Sequence, residues 1–145
     1  MNPTAERCCR IVMVIIMVTM VFVLTKSVSA CTWDPIVNKC HPIVGEIVVY
    51  KHNSCNGSQY YAFNGNTGFE FPDFTKLKWP DGTSLNDSVS CIVVGPKTTS
   101  RYYQHINFGG KQAMIKNKNN DSFIQKKLGG TWWNDSISSV KVTRD

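Results

Sequence analysis

The chain has 145 residues, of which 42% are hydrophobic, so it can bury the core of one compact domain but cannot contain two large ones. The lysines and arginines behind its formal net charge of +6 are mostly scattered. Five lysines flank a polar stretch, namely Lys111, Lys116, Lys118, Lys126 and Lys127. This arrangement favours a solvated face over a patch for nucleic acid or an anionic membrane, and we expect no nucleic-acid partner.

Residues 1–30 have the pattern of a secretory signal peptide. Arg7 and Arg10 precede an apolar run over residues 11–24, and the small residues at 28–30 are typical of a cleavage site. The run of 14 residues is shorter than the roughly 20 that a membrane-spanning helix needs, so we expect cleavage, with an uncleaved anchor as the alternative. Removal of this segment leaves 115 residues with a formal charge of +4. The mature protein is predicted to be secreted and extracellular, without a stable membrane span.

The mature chain contains four cysteines: Cys31, Cys40, Cys55 and Cys91. An even number of cysteines in an oxidising compartment predicts two disulfides, and the sequence alone leaves all three connectivities open. A zinc site is the weaker interpretation, because the sequence has no Cys-x-x-Cys pair and its three histidines lie far apart.

Short β-branched and aromatic runs begin at residue 47 and are separated by Gly, Asn, Asp and Pro clusters. Residues 47–50, 91–94 and 140–142 are examples, and no long helical periodicity interrupts them. Many short strands at such spacing predict an all-β sandwich or barrel.

The mature chain also repeats itself. Residues 82–94 align without gaps on residues 130–142, with seven of the thirteen positions identical. Upstream of these segments, the spacing from Tyr50 to Gly57 equals that from Tyr103 to Gly110. The first copy is five residues longer between its tyrosine and the aligned segment. The chain therefore contains two copies of one supersecondary unit.

We predict an N-terminal segment over residues 31–44 and one domain over residues 45–142. Motif one would span residues 45–95 and motif two residues 100–142. Each copy would form a four-stranded Greek key, and the two copies would pack into one sandwich because neither buries its apolar face alone.

The second copy has the three residues of a folded aromatic and glycine hairpin: Tyr103, Phe108 and Gly110. The first copy keeps Tyr50 and Gly57 but has Cys55 in place of the second aromatic residue. These hairpins resemble those of the βγ-crystallin superfamily. The resemblance implies a βγ-crystallin-like sandwich of two four-stranded Greek-key motifs.

The calcium-binding branch of that superfamily adds an Asn/Asp, Asn/Asp, x, x, Ser/Thr, Ser segment to each motif. Residues 134–139 match it at every defined position, and residues 86–91 depart only at Cys91. The resemblance implies that both segments contribute to two Ca²⁺ sites, with backbone oxygens from the hairpin strands. The implied site residues are Asn86, Asp87, Ser88, Ser90, Asn134, Asp135, Ser136 and Ser138, together with Lys51 and Gln104.

The residue types are suited to that ion, because calcium prefers six to eight hard oxygen ligands. The aspartates would supply carboxylates, Ser90 and Ser138 hydroxyls, and Ser88 and Ser136 backbone carbonyls, while the asparagines would brace the turns. A single Asn-Asp-Ser segment is usually ordinary turn chemistry. Two copies in matching register favour a metal site.

In the superfamily, the serine at the sixth position of this segment bonds to the hairpin backbone at the second aromatic residue. Motif one has cysteine at both positions. The resemblance therefore implies that a Cys55–Cys91 disulfide replaces the hydrogen bond, which leaves Cys31 and Cys40 as the second pair.

No Ser-His-Asp, paired-carboxylate or Cys-His arrangement and no phosphate-binding glycine loop stands out in the sequence, so we do not expect an enzyme. The leading hypothesis is a secreted calcium-binding module with a structural or stabilising role. The alternative is a secreted effector on the same fold, of the antimicrobial, toxin or protease-inhibitor type.

Overall fold

The computed structural model describes residues 31–145, and the expected signal peptide lies outside the described residues. This part contains no α-helix but ten β-strands and two short 3₁₀ turns, at Phe74–Lys76 and Ile106–Phe108. The strands are β1 (Thr32–Asp34), β2 (Lys39–His41), β3 (Glu46–Tyr50), β4 (Tyr60–Asn64), β5 (Phe69–Phe71), β6 (Cys91–Val94), β7 (Thr98–His105), β8 (Gly109–Asn117), β9 (Ile124–Lys127) and β10 (Ser139–Arg144). Over the same range, no helix is long and apolar enough to cross a membrane.

Eight of the strands form two four-stranded antiparallel sheets. The first sheet has the strand order β4-β3-β6-β9, and the second sheet has the order β5-β10-β7-β8. Side chains from both sheets share one hydrophobic core. This architecture confirms the predicted all-β sandwich of two four-stranded Greek-key motifs.

Each sheet takes three strands from one motif and one strand from the other. β5 belongs to motif one but pairs with β10, and β9 belongs to motif two but pairs with β6. The sequence did not predict this exchange, because an alignment shows which segments are equivalent but not which sheet edge a strand joins. Neither motif completes a sheet without the other.

The main core lies between the two sheets. Inward-facing side chains alternate along the strands, as with Ile47 and Val49 on β3 and Val140 and Val142 on β10. All four are at most 1% exposed. Trp79, from the long connection between β5 and β6, joins this core with 2% exposure.

The outer face of the first sheet is also buried, under the N-terminal hairpin of β1 and β2. A Cys31–Cys40 disulfide closes this hairpin, with the two Cα atoms 5.6 Å apart. The Cys40 N–H donates to the Tyr50 hydroxyl (2.8 Å), which donates to the Cys40 carbonyl (3.0 Å). Trp33 stacks on Tyr60 with ring centroids 5.6 Å apart. The predicted N-terminal segment is therefore a hairpin that covers β3.

The two motifs tie their hairpins to the sheet in different ways. In motif two, the Ser139 hydroxyl donates to the His105 carbonyl (2.7 Å) and accepts from the Phe108 N–H (3.2 Å). In motif one, a Cys55–Cys91 disulfide stands at the equivalent place, with Cα atoms 5.3 Å apart. Both cysteines are fully buried. A covalent bond therefore takes the position of a serine hydrogen bond.

The two disulfides should contribute unequally to stability. We expect C55A/C91A to lower the free energy of unfolding by about 4 kcal/mol and C31A/C40A by about 3 kcal/mol, because the first bond spans the longer loop. The sequence separations are 36 and 9 residues. Urea unfolding of both double variants measures the difference. A larger loss of unfolding free energy in C31A/C40A would contradict the expectation that the disulfide closing the longer loop stabilises more.

The stability of the protein at alkaline pH should depend on Tyr50, which the N-terminal hairpin buries against β3. Burial raises the pKa of Tyr50 to about 12, and this effect outweighs the opposite, pKa-lowering effect of the hydrogen bond with the Cys40 backbone. In the unfolded chain a tyrosine titrates near pH 10. The stabilisation of the folded state by the neutral Tyr50 hydroxyl is therefore fully present below pH 10 and is lost as the pH rises to 12. Burial also raises the pKa of Tyr102, so part of the loss persists without Tyr50. We expect the free energy of unfolding of Y50F to fall less steeply between pH 10 and 12 than that of the wild type; equal slopes would contradict the argument.

Candidate metal centre

The two Asn-Asp-Ser turns contact each other through reciprocal backbone hydrogen bonds. The Asp87 N–H donates to the Ile137 carbonyl, and the Asp135 N–H donates to the Val89 carbonyl, both at 3.2 Å. Each aspartate has a positive φ, 51° for Asp87 and 54° for Asp135. Aspartate tolerates this left-handed conformation better than most residues. The two motifs thus meet at the segments that the sequence repeats.

The carboxylate of each motif lies against the serine of the other motif. The Ser138 hydroxyl is 3.0 Å from Asp87 Oδ1, and the Ser90 hydroxyl is 3.2 Å from Asp135 Oδ1. Both serines are buried or nearly so, with 4% and 9% exposure. Each pair therefore joins residues about fifty positions apart.

Around Ser138 three oxygen atoms converge, which we call the Asp87 cluster: Asp87 Oδ1, Ser138 Oγ and the Gln104 carbonyl oxygen. Ser138 Oγ is 2.9 Å from the Gln104 carbonyl as well as 3.0 Å from the carboxylate. A serine hydroxyl has one hydrogen, so it can donate to only one of these acceptors at a time. The Asp87 carboxylate and the Gln104 carbonyl therefore compete for the single hydroxyl proton of Ser138.

The corresponding Asp135 cluster contains Asp135 Oδ1 and Ser90 Oγ. Within residues 31–145, no hydrogen bond links Ser90 to the Lys51 carbonyl, although the resemblance assigns Lys51 the role of Gln104. The Lys51 N–H donates to the Gln59 carbonyl, and its ammonium group pairs with Asp81 at 2.5 Å. The two clusters are alike in their Asp and Ser pair but not in their third oxygen.

The two asparagines of the repeated turns brace the carboxylates. The Asn86 side-chain NH₂ donates to Asp87 Oδ2 (2.7 Å), and that of Asn134 donates to Asp135 Oδ2 (2.6 Å). The Oδ1 atoms of both asparagines are buried and find no donor among residues 31–145. Buried acceptors without a donor are costly, so each turn contains one oxygen atom whose hydrogen-bonding capacity is unmet.

Solved structures show which proteins share this architecture. One is a βγ-crystallin domain whose structure was determined to trace the evolution of the eye-lens fold. Its sequence is 28% identical to this chain, the match covers 72% of this chain and 90% of that protein, and the TM-score is 0.57. Spherulin 3a from Physarum polycephalum is 27% identical over 72% of this chain and 88% of its own, with a TM-score of 0.51. The chain belongs to the βγ-crystallin superfamily. A comparison with family models and with curated protein sequences gave no match.

This βγ-crystallin domain has an open pocket where its two turns meet. Asp87, Asp135, Ser136, Gln104 and His105 line it, and its volume is about 240 Å³. Over residues 31–145, no group of three or more His, Cys, Asp or Glu side chains is placed to hold a metal. Any ion held here would therefore depend on one carboxylate per cluster together with neutral oxygens.

The hydroxyls of the two x-position serines do not join either cluster. The Ser88 hydroxyl lies 2.7 Å from the Ser84 carbonyl and 2.8 Å from that of Leu85. The Ser136 hydroxyl donates to the Asn134 carbonyl at 3.2 Å. These two serines shape the turns with their side chains, which leaves only their backbone oxygens for an ion.

Trp79 is a residue of the site that sequence reasoning missed. Its indole N–H donates to the Ser88 hydroxyl (2.7 Å), and its side chain is 2% exposed. The turn of motif one is therefore anchored in the core of the βγ-crystallin domain, whereas the Ser136 hydroxyl of motif two makes only a local bond. The one signal in the sequence is a tryptophan three residues before the repeated segment of the first copy.

This anchor should make the two turns unequal in stability. We expect S88A to lower the free energy of unfolding by about 1–3 kcal/mol, because it leaves the buried Trp79 N–H without an acceptor. S136A is the matched control and should change it by about 0.5 kcal/mol or less. Chemical unfolding in the presence of a chelator measures both variants. Equal losses would show that the Trp79 bond does not anchor the turn.

Proposed function

We propose that this βγ-crystallin domain binds calcium ions at the Asp87 and Asp135 clusters and acts as an extracellular structural module that calcium stabilises. The observation that carries the proposal is the Asp87 cluster. There a carboxylate, a hydroxyl and a backbone carbonyl converge with one proton among them. A cation would remove the surplus of acceptors.

The chemistry of these oxygens favours calcium among the common ions. Calcium binds carboxylates, carbonyls, hydroxyls and water in flexible geometries, whereas zinc and copper favour nitrogen and sulfur ligands. Asp87, Asp135, Ser90 and Ser138 supply side-chain oxygens. The asparagines of the same two turns carry buried Oδ1 atoms that find no donor among residues 31–145. No catalytic step is assigned to this centre.

The small number of carboxylates sets the expected affinity. Extracellular calcium modules bind with dissociation constants of about 10⁻⁴ to 10⁻³ M. At about 1 mM calcium, such a site adds on the order of 0.4 to 1.4 kcal/mol of stability. An effect of this size suits reinforcement of a fold rather than detection of small changes in calcium concentration.

Secretion is part of the same proposal. Disulfides persist in oxidising compartments, and residues 31–145 contain the pairs Cys31–Cys40 and Cys55–Cys91. The signal-peptide pattern in residues 1–30 points to the same compartment. Millimolar free calcium outside the cell would occupy sites of the expected affinity.

Calcium titration by calorimetry, together with thermal melting in calcium and in chelator, tests the proposal. In about 10 mM calcium we expect the melting temperature to lie about 5 °C or more above its value in chelator. D87A and D135A should each lose part of this increment, because each removes the carboxylate of one cluster. No heat of binding and no difference in melting temperature would overturn the proposal.

Two features of this design isolate the metal. Alanine at a positive φ is strained, so D87A and D135A will melt earlier under any condition, and only the difference between calcium and chelator is compared. D121A is the matched control, since Asp121 is exposed in the loop between β8 and β9. It should keep the full calcium increment.

A further inference from the structure

A cavity of about 170 Å³ opens between the two sheets, where the edge strands β8 and β9 face each other. Its floor consists of Ile92, Tyr102 and Ile137, each 1% exposed. Met114 and Lys126 also line it and are exposed to solvent. The cavity is therefore apolar inside and accessible from the surface.

The equivalent seam of motif one, between β4 and β5, is filled by aromatic rings. Phe63 lies at its centre, with ring centroids 5.0 Å from Tyr61, 5.8 Å from Phe69, 6.1 Å from Phe71 and 5.5 Å from Phe74. Phe63 is 2% exposed. One end of the sandwich is thus closed while the other is open.

Strand registers show which residues differ between the seams. Tyr61 pairs with Val49, and Ala113 pairs with Tyr102. Val49 and Tyr102 are equivalent, since each directly precedes the hairpin tyrosine of its motif. Motif two therefore has an alanine methyl group where motif one has the ring of Tyr61.

The second difference lies on the exchanged strands. Phe71 pairs with Val140, and Lys126 pairs with Ile92. Val140 and Ile92 occupy the same position of the aligned segments. Lys126 therefore stands where motif one has the ring of Phe71. Two aromatic rings of one seam are replaced by a methyl group and a cationic chain in the other.

We propose that this cavity is a binding site for a small organic anion that has one aromatic ring or a short alkyl chain. The apolar part would occupy the space that the rings fill in motif one, and its carboxylate, sulfate or phosphate would pair with the Lys126 ammonium group. A dry cavity of about 150 Å³ takes up benzene, so the volume fits one ring or a chain of similar size. Among residues 31–145, no acidic side chain lines the cavity. The Lys111 ammonium group lies 4.7 Å above the ring of Trp132, which packs against the cavity-lining Trp133.

Octanoate is a suitable probe, because it joins a short alkyl chain to one carboxylate. Trp133 lines the cavity, and its ring centroid is 4.1 Å from that of Trp132. Binding should therefore change tryptophan fluorescence, and calorimetry gives the dissociation constant. Octylammonium, with the opposite charge, should bind at least about tenfold more weakly than octanoate.

Two variants separate the apolar contact from the charge. A113F places a ring in the cavity and should weaken octanoate binding at least about tenfold. K126E should weaken octanoate and strengthen octylammonium, and because it changes an exposed side chain it tests the site even if A113F fails to fold. K118E is the matched control, since Lys118 is exposed but does not line the cavity, and it should bind octanoate like the wild type.

The anion could come from a free organic acid or from a membrane lipid, and a vesicle arm distinguishes these sources. Binding to phosphatidylglycerol vesicles that A113F and K126E both lose would identify a lipid. Octanoate binding without vesicle binding would identify a free acid. The proposal would be overturned if the wild type bound neither octanoate nor phosphatidylglycerol vesicles. It would also be overturned if A113F and K126E left octanoate binding unchanged. These readouts need no calcium, so they are independent of the metal centre.

Discussion

The reciprocal contact between the two Asn-Asp-Ser turns is the constraint on which the rest of this structure depends. Each turn donates a backbone N–H to the other, and each carboxylate lies against the serine of the opposite motif. Because the contacts are crossed, they fix the orientation of one motif relative to the other. That orientation also brings β5 and β9 to the sheets of the opposite motifs. The arrangement that joins the sandwich is therefore the same one that gathers the oxygen atoms.

The two copies of the motif are stabilised by different interactions. Motif one is held by the Cys55–Cys91 disulfide, by the Trp79 bond to Ser88, and by a filled aromatic seam. Motif two relies on the hydrogen bonds of Ser139 and leaves its seam open. Motif one is therefore cross-linked and has a filled seam, whereas motif two contains the accessible cavity.

The sequence predicted those features that local pattern determines. Seven identities in thirteen aligned positions indicated the repeat, and the alternation of strands and turns indicated a sandwich. The resemblance also implied a serine bond to the hairpin backbone at the second aromatic residue, and the Ser139 hydroxyl accepts such a bond from the Phe108 N–H. Such features depend on residues close together in one motif, so their signals survive in the sequence.

Other features depend on which segments meet in space, and the sequence carried little sign of them. The exchange of β5 and β9 and the cover that the N-terminal hairpin forms over Tyr50 are tertiary contacts. In the sequence Lys126 is one of several lysines with the pattern of a solvated face, and only its register opposite Ile92 shows that it occupies the position of an aromatic ring. The cavity depends on these strand registers, which the sequence does not specify.

Anomalous diffraction from crystals grown in calcium is the most direct measurement of the central claim. The account predicts one calcium peak among Asp87 Oδ1, Ser138 Oγ and the Gln104 carbonyl, and a second beside Asp135 Oδ1 and Ser90 Oγ. Anomalous density at other carboxylates only, with both pairs of aspartate and serine still joined by direct hydrogen bonds, would contradict it.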